Sequence, residues 1–367
     1  MILEKISLTN FKNYEKAELE FCPGLNCFTG LNGSGKTNLL DAIHYLSMTK
    51  SAFNASDSQN IRHNENFFAI RADLAVKKKN HQIQCSIKQG GKKSFKVDED
   101  PYEKLSEHIG KFPVVLIAPN DDDLIRDSSD TRRKFFDSII SQADKKYLEQ
   151  LIQYNHFLKQ RNSLLKRINE SGKRDDILLD KYDEQLIQLS QSIGRYRQEF
   201  IEKILPMVVS QYEDIAQNRE KVSIEYLTSV LSEGFKNTFK RAIEKDILLQ
   251  RTTVGVHRDD YSFQIESYPL KKNGSQGQQK SFLIALKVSQ FEYLKELKQV
   301  TPILLLDDIF DKLDDERIKK LLEMISRNKF RQIFITDARH ERTEHILKSL
   351  DVDKKIFNIQ ENCVFCD

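Results

Sequence analysis

The chain carries little net charge for its size: 58 lysines and arginines stand against 55 aspartates and glutamates in 367 residues, which leaves +3. That balance excludes a protein coated with one sign of charge, so any nucleic-acid surface has to be local. Long apolar runs are missing too. None approaches the ~18 residues that a membrane-spanning helix needs, and a soluble chain is expected. Cysteine is scarce and odd in number, five residues at Cys22, Cys27, Cys85, Cys363 and Cys366. With no secretory leader read at the start, reduced thiols in the cytoplasm are expected. Cys363 and Cys366 have C-x-x-C spacing, yet no second pair or histidine couple stands at zinc-site spacing, so a structural zinc is not expected. What is present, 39% hydrophobic and 31% charged residues, describes a globular protein long enough for two or three ordinary domains.

Glycine is also uncommon, 13 residues in all, yet Gly30, Gly33 and Gly35 crowd into FTGLNGSGKTNLLDAI, Phe28 to Ile43. Gly30, Leu31, Asn32, Gly33, Ser34, Gly35, Lys36 and Thr37 fit G-x-x-x-x-G-K-[ST] between a strand-like Leu25 to Thr29 and a helix-like Asn38 to Leu46. This is a P-loop. Its glycines let successive N–H groups converge on one concavity, and the positive end of the following helix adds to the attraction for an anionic polyphosphate. Lys36 is placed to reach the β- and γ-phosphates of ATP, and the Thr37 hydroxyl to ligate Mg²⁺.

Before and after the P-loop helix the chain reads as strands. Met1 to Phe21 alternates about a turn at Asn10 to Asn13, and Phe67 to Lys77, His81 to Lys88 and Phe95 to Asp98 follow with basic turns between them. Short strands of this kind predict a mostly antiparallel sheet beside the nucleotide-binding one. Val114 to Ala118 is a further buried strand. From Asp144 to about Gln211 the pattern is helical and long. Leu151, Leu158 and Leu165 recur every seven residues, and after NESGKRDD the positions Leu179, Tyr182, Leu186, Leu189, Ile193, Tyr196 and Phe200 alternate by three and four. The pattern predicts an antiparallel hairpin, a stub whose arms reach ~40 Å at ~1.5 Å per residue. More helix is expected over Ser229 to Leu249.

Strands and motifs return after Gln250. Pro302 to Leu306 is a buried strand that delivers Asp307 and Asp308 at its carboxyl end, where ligands bind in open α/β sheets. Asp307 offers Mg²⁺ a hard oxygen beside Thr37, and Asp308 is placed to orient or deprotonate the attacking water. This reads as a Walker B strand. About 270 residues separate it from Lys36, so the helical lobe is an insertion within one ATPase domain. The expected division is 1–125 and 249–367 for the ATPase head and 126–248 for the inserted lobe. A second polar, glycine-containing loop, Asn273 to Gln279, opens the helix Lys280 to Leu297 and makes a second anion-binding helix end. One ATP needs only one cradle. The economical account is that Ser275, Gly277 and Gln278 cap the γ-phosphate of ATP held by another protomer, with nucleotide as the glue of a two-fold dimer. A plain N-cap at Ser275 is the alternative.

Taken in order, these motifs resemble the RecF family of recombination mediator ATPases, relatives of SMC heads. The carriers are Leu8 to Tyr14, the P-loop, Pro119-Asn120-Asp121, Arg132 to Asp137, Gly255 to Asp260, Ser275 to Lys280, Leu304 to Asp308 with Leu313-Asp314, and Gln332 to Thr336. The resemblance spans essentially the whole chain. It implies an α/β fold: an ABC-type ATPase head with a P-loop mixed sheet plus an antiparallel sheet, and an inserted α-helical lobe containing a short antiparallel hairpin. It further implies that Lys12 and Asn13 are phosphate-side contacts, that Ser275, Gly277 and Gln278 form the trans-acting signature, and that Phe310 to Asp314 cross the dimer axis. The catalytic set is then Lys36, Asp307, Asp308 and Ser275, with Thr37 and Asp307 on the metal. Asp308 occupies a position where many ABC-type ATPases have Glu, and its shorter arm leads one to expect slow turnover. Val256, Asp127, Ser129, Asp311 and Asp337 depart from the family's usual residues.

The implied activity is ATP-dependent homodimerisation on DNA, at gapped duplex and single/double-strand junctions, with help in loading RecA onto single strands alongside RecR and RecO. Candidate DNA contacts are Lys77 to Lys79, Lys92, Lys93, Arg132, Arg133, Lys134, Lys271 and Lys272. Few aromatics are interleaved with them, which favours duplex backbone over stacked single strands. Asn120 and Asp121 are the candidates for the loop after Val114 to Ala118, in place of a glutamine. His257 and His340 sit among Arg and Asp, a setting that suits structural histidines. The rival readings are an ABC-type ATPase acting on another protein, such as a transporter subunit, a purely structural SMC-like head, and a nucleotide-regulated binding module that barely hydrolyses.

Overall fold

The computed structural model describes residues 1–216, 220–309, 318, 323, 330–339 and 352–360, and the backbone of 363–366. The chain divides into two compact units. The first comprises Met1–Asp121, Asp214–Gln217 and Leu283–Asp367, and the second Asp122–Glu213 and Asn218–Phe282. Residues 249–282, with the signature loop, fall in the second unit.

In the first unit two six-stranded sheets share one apolar core with the P-loop helix Lys36–Met48. One sheet runs Tyr14–Glu20, Ile2–Phe11, Phe67–Val76, Lys79–Lys88, Ser94–Val97 and Asp100–Pro101, with every neighbouring pair antiparallel. Its strands are one-sided: along Phe67–Val76 the side chains of Phe68, Ile70, Ala72 and Leu74 are buried while Phe67 and Arg71 are exposed. The other sheet runs Cys363–Cys366, Lys354–Gln360, Leu25–Thr29, Ile333–Asp337, Ile303–Leu306 and Val114–Ile117, parallel except for its outermost pair. Here Leu25–Thr29, Ile303–Leu306 and Ile333–Asp337 are buried at every position. That difference is the signature of a parallel sheet covered on both faces.

The two sheets are tied together by a side chain. Where Ile2–Phe11 pairs with Phe67–Val76 the register slips between Leu3 and Lys5, a bulge that disturbs the ladder. Gln332 accepts from the Leu3 N–H at 2.7 Å and donates to Leu3 O at 2.8 Å and Cys22 O at 2.9 Å. Its amide imitates a neighbouring peptide. Gln332→Leu keeps the volume but strands these buried groups, so a loss of about 2–4 kcal/mol is expected, at roughly 1–3 kcal/mol for each unsatisfied group that water cannot reach. A urea midpoint equal to that of the parent protein would refute the assignment.

His108 is fully buried in the same unit and donates through Nε2 to Leu46 O at 2.6 Å, which leaves Nδ1 to accept from the Tyr102 hydroxyl at 3.3 Å. Burial lowers its pKa from 6.5 to about 4. The unfolded chain therefore takes up the proton first as pH falls. The stabilisation is complete above the unfolded value and drains away towards the folded one, by about 2 kcal/mol between pH 7 and pH 5. His108→Gln should flatten the stability profile over that interval by this amount in urea titrations.

The second unit is mainly helical. Lys145–Ser171 and Asp176–Ala216 form the expected hairpin, closed by Gly172 at φ 68° and held across by Gln150 with Ser192 at 2.8 Å and Arg161 with Asp183 at 2.6 Å. The seam differs from the leucine repeat. Leu165 is buried, but Leu151 and Leu158 are only half-buried, and the central line is Tyr147, Tyr154, Arg161 and Ile168. On the second arm Leu179, Leu186, Ile193 and Phe200 are buried as anticipated, interleaved with Asp183, Ser190 and Arg197. The physical reason is reach: a long polar side chain crosses the seam and finds partners beyond it. Arg161 donates to Asp183, to Asp246 at 2.7 Å and to Thr252 at 2.9 Å. Arg197 grips both Asp137 oxygens at 2.9 Å and also reaches Val256 O and Asp259. The unit is completed by short helices, among them Phe235–Arg241 and Ile243–Leu249, and by an antiparallel sheet ordered Tyr268–Pro269, Asp260–Ile265, Val222–Leu227.

Candidate nucleotide site and signature loop

The buried strand Leu25–Thr29 fires into the P-loop, whose three glycines have φ of 148°, 84° and 111°. Two of them are also required by packing. A Cβ on Gly30 would lie 2.3 Å from Ile359 O, and one on Gly35 2.4 Å from Asn13 Nδ2. Leu31, Asn32 and Gly33 form the exposed crown, and Ser34 lies beneath it. Lys36 is 4% exposed and donates to Gly30 O at 2.8 Å and Leu31 O at 2.9 Å, so its ammonium is stationed in the curve of the loop.

The Thr37 hydroxyl donates to Asp307 Oδ1 at 2.8 Å, and Thr336 donates to the same oxygen at 2.8 Å. Thr336 Oγ1 also accepts the Asp308 N–H at 2.9 Å. One hydroxyl thus places both acids, and Asp308 takes the left-handed φ of 44° at the strand's end. Burial pushes the Asp307 carboxyl above its ordinary range, against the pull of the Thr336 and Thr37 hydroxyls. Among the described residues no cluster of three or more His, Cys, Asp and Glu could cage a metal alone. Thr37 and Asp307 nonetheless supply hard oxygens of the kind that hold Mg²⁺ when phosphate oxygens and water complete its octahedron.

The turn at Lys12 and Asn13 serves two purposes. Asn13 lies on the P-loop, donating to Ser34 O at 3.4 Å and accepting from Asn38 at 2.6 Å, while the Tyr14 hydroxyl donates to Gly35 O at 3.1 Å. Lys12 has a partner within the protein. Its ammonium is paired with Asp41 on the P-loop helix at 2.6 Å, because a fully buried carboxylate demands a counter-charge. Of the loop after Val114–Ile117, Asp121 pairs with Lys287 at 2.6 Å and accepts from Ala118 N, whereas Asn120 is exposed.

In the second unit Ser275 and Gln278 form a reciprocal capping box: Gln278 Oε1 accepts from the Ser275 N–H at 2.6 Å, and Ser275 Oγ accepts from the Gln278 N–H at 3.2 Å. Ser275 is exposed at the start of the helix Gln276–Lys298 and Gly277 is half-buried. The N-cap and signature readings are therefore compatible.

The basic clusters sort by exposure. Arg132 is bidentate to Asp260 at 2.7 and 3.0 Å, and Arg133 donates to Asp259 O at 2.6 Å and Ser129 Oγ at 2.7 Å, so both are structural rather than available to phosphate. Lys93 is likewise committed, to Asp57 and Thr49 O with its ammonium over Tyr45. Lys77, Lys78, Lys79, Lys92, Lys134, Lys271 and Lys272 are exposed. His257 is structural: it bridges the Tyr154 hydroxyl at 2.6 Å and Thr252 O at 2.9 Å, and burial lowers its pKa to about 4. Phe310 to Asp314, His340 and the side chains of Cys363 and Cys366 lie outside the described residues. Sequence reasoning assigned no role to Tyr14, Gln332 or Thr336, which entered only as members of the motifs that carry the family resemblance.

A P-loop joined to two strand-end acids, with an antiparallel sheet alongside and a capped second loop, defines the head of an ABC-type ATPase. Comparison supports that class. The family model described as RecF/RecN/SMC N terminal domain matches residues 2–361. The DNA replication and repair protein RecF of Cytophaga hutchinsonii is 48% identical over 364 residues, 99% of this chain and 96% of that protein. The RecF of Flavobacterium johnsoniae is 48% identical over 359 residues, 98% and 100% of the two chains. A solved structure of the recombination mediator protein RecF-ATPrS in the RecFOR pathway superposes with TM-score 0.90 at 34% identity, covering 100% of this chain and 98% of the other. The Smc head of Pyrococcus furiosus shares the fold, with TM-score 0.56 at 17% identity and 100% and 95% of the chains covered. The chain belongs to the RecF family.

Proposed function

We propose that this protein is a DNA replication and repair ATPase in which bound ATP joins two copies on DNA. Each P-loop holds ATP with Mg²⁺ on Thr37 and Asp307, and the other copy's Ser275, Gly277 and Gln278 close on the γ-phosphate. Asp308 orients the attacking water. The dimer acts at gapped duplex and single/double-strand junctions and, with RecR and RecO, promotes loading of RecA onto single-stranded DNA. The observation that carries the reading is the 2.8 Å bond from Thr37 to Asp307, which brings together two motifs 270 residues apart. The names of the relatives, DNA replication and repair protein RecF, and the ATP-bound RecF structure of the RecFOR pathway support the choice of substrate and setting.

The test is fluorescence anisotropy of gapped duplex DNA titrated with protein at fixed salt, with and without ATP and Mg²⁺. Binding that strengthens with MgATP is the expected result. Absence of binding at low salt under both conditions would remove DNA as the direct partner and favour an ATPase acting on another protein.

A further inference from the structure

Gln278 performs a second task besides capping. While its Oε1 accepts from the Ser275 N–H, its Nε2 donates to Glu220 Oε1 at 2.6 Å. The other Glu220 oxygen, Oε2, accepts from the hydroxyl of Tyr212 at 3.0 Å, a fully buried residue near the end of the long hairpin helix Asp176–Ala216. One half-buried carboxylate therefore stands between the hairpin and the signature cap, with one oxygen for each.

We propose that Glu220 is a positioning residue for the signature loop and that it ties the loop's geometry to the long hairpin helix. An amide side chain has a donor end and an acceptor end that differ little in shape, so what faces each end decides its orientation. A carboxylate can only accept. Glu220 therefore compels Gln278 to turn its NH₂ towards the hairpin and its carbonyl towards the Ser275 N–H, and the charge shortens and strengthens the bond. With Gln278 so oriented its backbone N–H reaches Ser275 Oγ, and the serine hydroxyl is presented at the exposed start of the helix. Tyr212 fixes the carboxylate in turn, so a shift of the hairpin helix is transmitted to Gln278 through two hydrogen bonds and from there to Ser275 through the cap. This rests on the reading of Ser275 as a contact to ATP held by the other copy.

The experiment compares the parent protein with Glu220→Ala, Glu220→Gln, Tyr212→Phe and, as a separate control, Ser275→Ala. Two quantities are read: the affinity of the dilute monomer for a fluorescent ATP analogue, and the ATP-induced monomer–dimer constant from sedimentation. Glu220→Ala is expected to leave monomer affinity within about twofold and to weaken dimerisation about ten- to a hundredfold, the worth of a charge-assisted hydrogen bond. Glu220→Gln, which keeps one acceptor for two donors, and Tyr212→Phe, which removes a single hydroxyl, should fall between. A general folding defect would lower both quantities together. If Ser275→Ala weakens the dimer but Glu220→Ala does not, Glu220 has no positioning role. If Glu220→Ala weakens it and Tyr212→Phe does not, the link to the hairpin is refuted. If Ser275→Ala is itself neutral, the trans-acting signature has failed and this inference with it.

Discussion

Lys36→Ala is expected to weaken ATP binding roughly a hundredfold and to abolish the ATP-induced dimer. The ammonium stands in the P-loop already, 4% exposed and directed by the carbonyls of Gly30 and Leu31. Binding therefore incurs little ordering cost, and the charge meets phosphate oxygens where solvent screening is weak. Charge-assisted hydrogen bonds contribute about 1.5–3 kcal/mol each, and two of them account for about 3 kcal/mol, or two decades in affinity. The fold should survive, since the bonds that are lost go to loop carbonyls at the rim of the site. Titration with a fluorescent ATP analogue measures the first effect and sedimentation with MgATP the second. A variant that dimerises with ATP as the parent does would exclude Lys36 from phosphate binding and undo the proposed site.

Asp308→Asn should separate binding from turnover. Loss of a water-activating carboxylate lowers hydrolysis by about 10²–10⁴. The substitution leaves the backbone in place, because the Asp308 N–H bond to Thr336 does not involve the carboxylate and asparagine tolerates the left-handed φ of 44°. ATP still binds, the dimer still forms, and it should then persist for as long as the nucleotide does. Asp307→Asn is the contrasting case. There the new NH₂ would face two hydroxyl donors, Thr37 and Thr336, and the proposed Mg²⁺ ligand is lost. Dimers of Asp308→Asn that dissociate as fast as those of the parent after ATP addition would show that Asp308 does not activate water.

Much of the site was legible because its signals are local. The P-loop is a run of adjacent residues whose spacing is imposed by the phosphates they surround, and the strand Ile303–Leu306 announces itself by four buried aliphatics ahead of two acids. The hairpin was legible from its period, though not its seam. Leucines mark the side of a helix that faces the core, but Arg161 and Arg197 are fully buried polar residues whose compatibility with a core depends on Asp137, Asp183, Asp246 and Asp259, three of them outside the hairpin. Lys12 and Arg132 show the same limit. A cation in a motif looks available until the carboxylate it pairs with, buried Asp41 for Lys12 or half-buried Asp260 for Arg132, is known.

By itself, then, the sequence determined that this is a P-loop ATPase head interrupted by a helical insertion, because glycine spacing, strand-end acids and hydrophobic period act over a few residues and need no knowledge of the fold. Only the tertiary structure decided which charged residues remain for ligands and which hold the protein together. The ionic partners of the less exposed cations here lie tens to hundreds of positions apart, as with Lys287 and Asp121 or Arg132 and Asp260. Folding alone selects among such pairs, since the cost of burying a lone charge is met by whichever opposite charge the packing brings within reach.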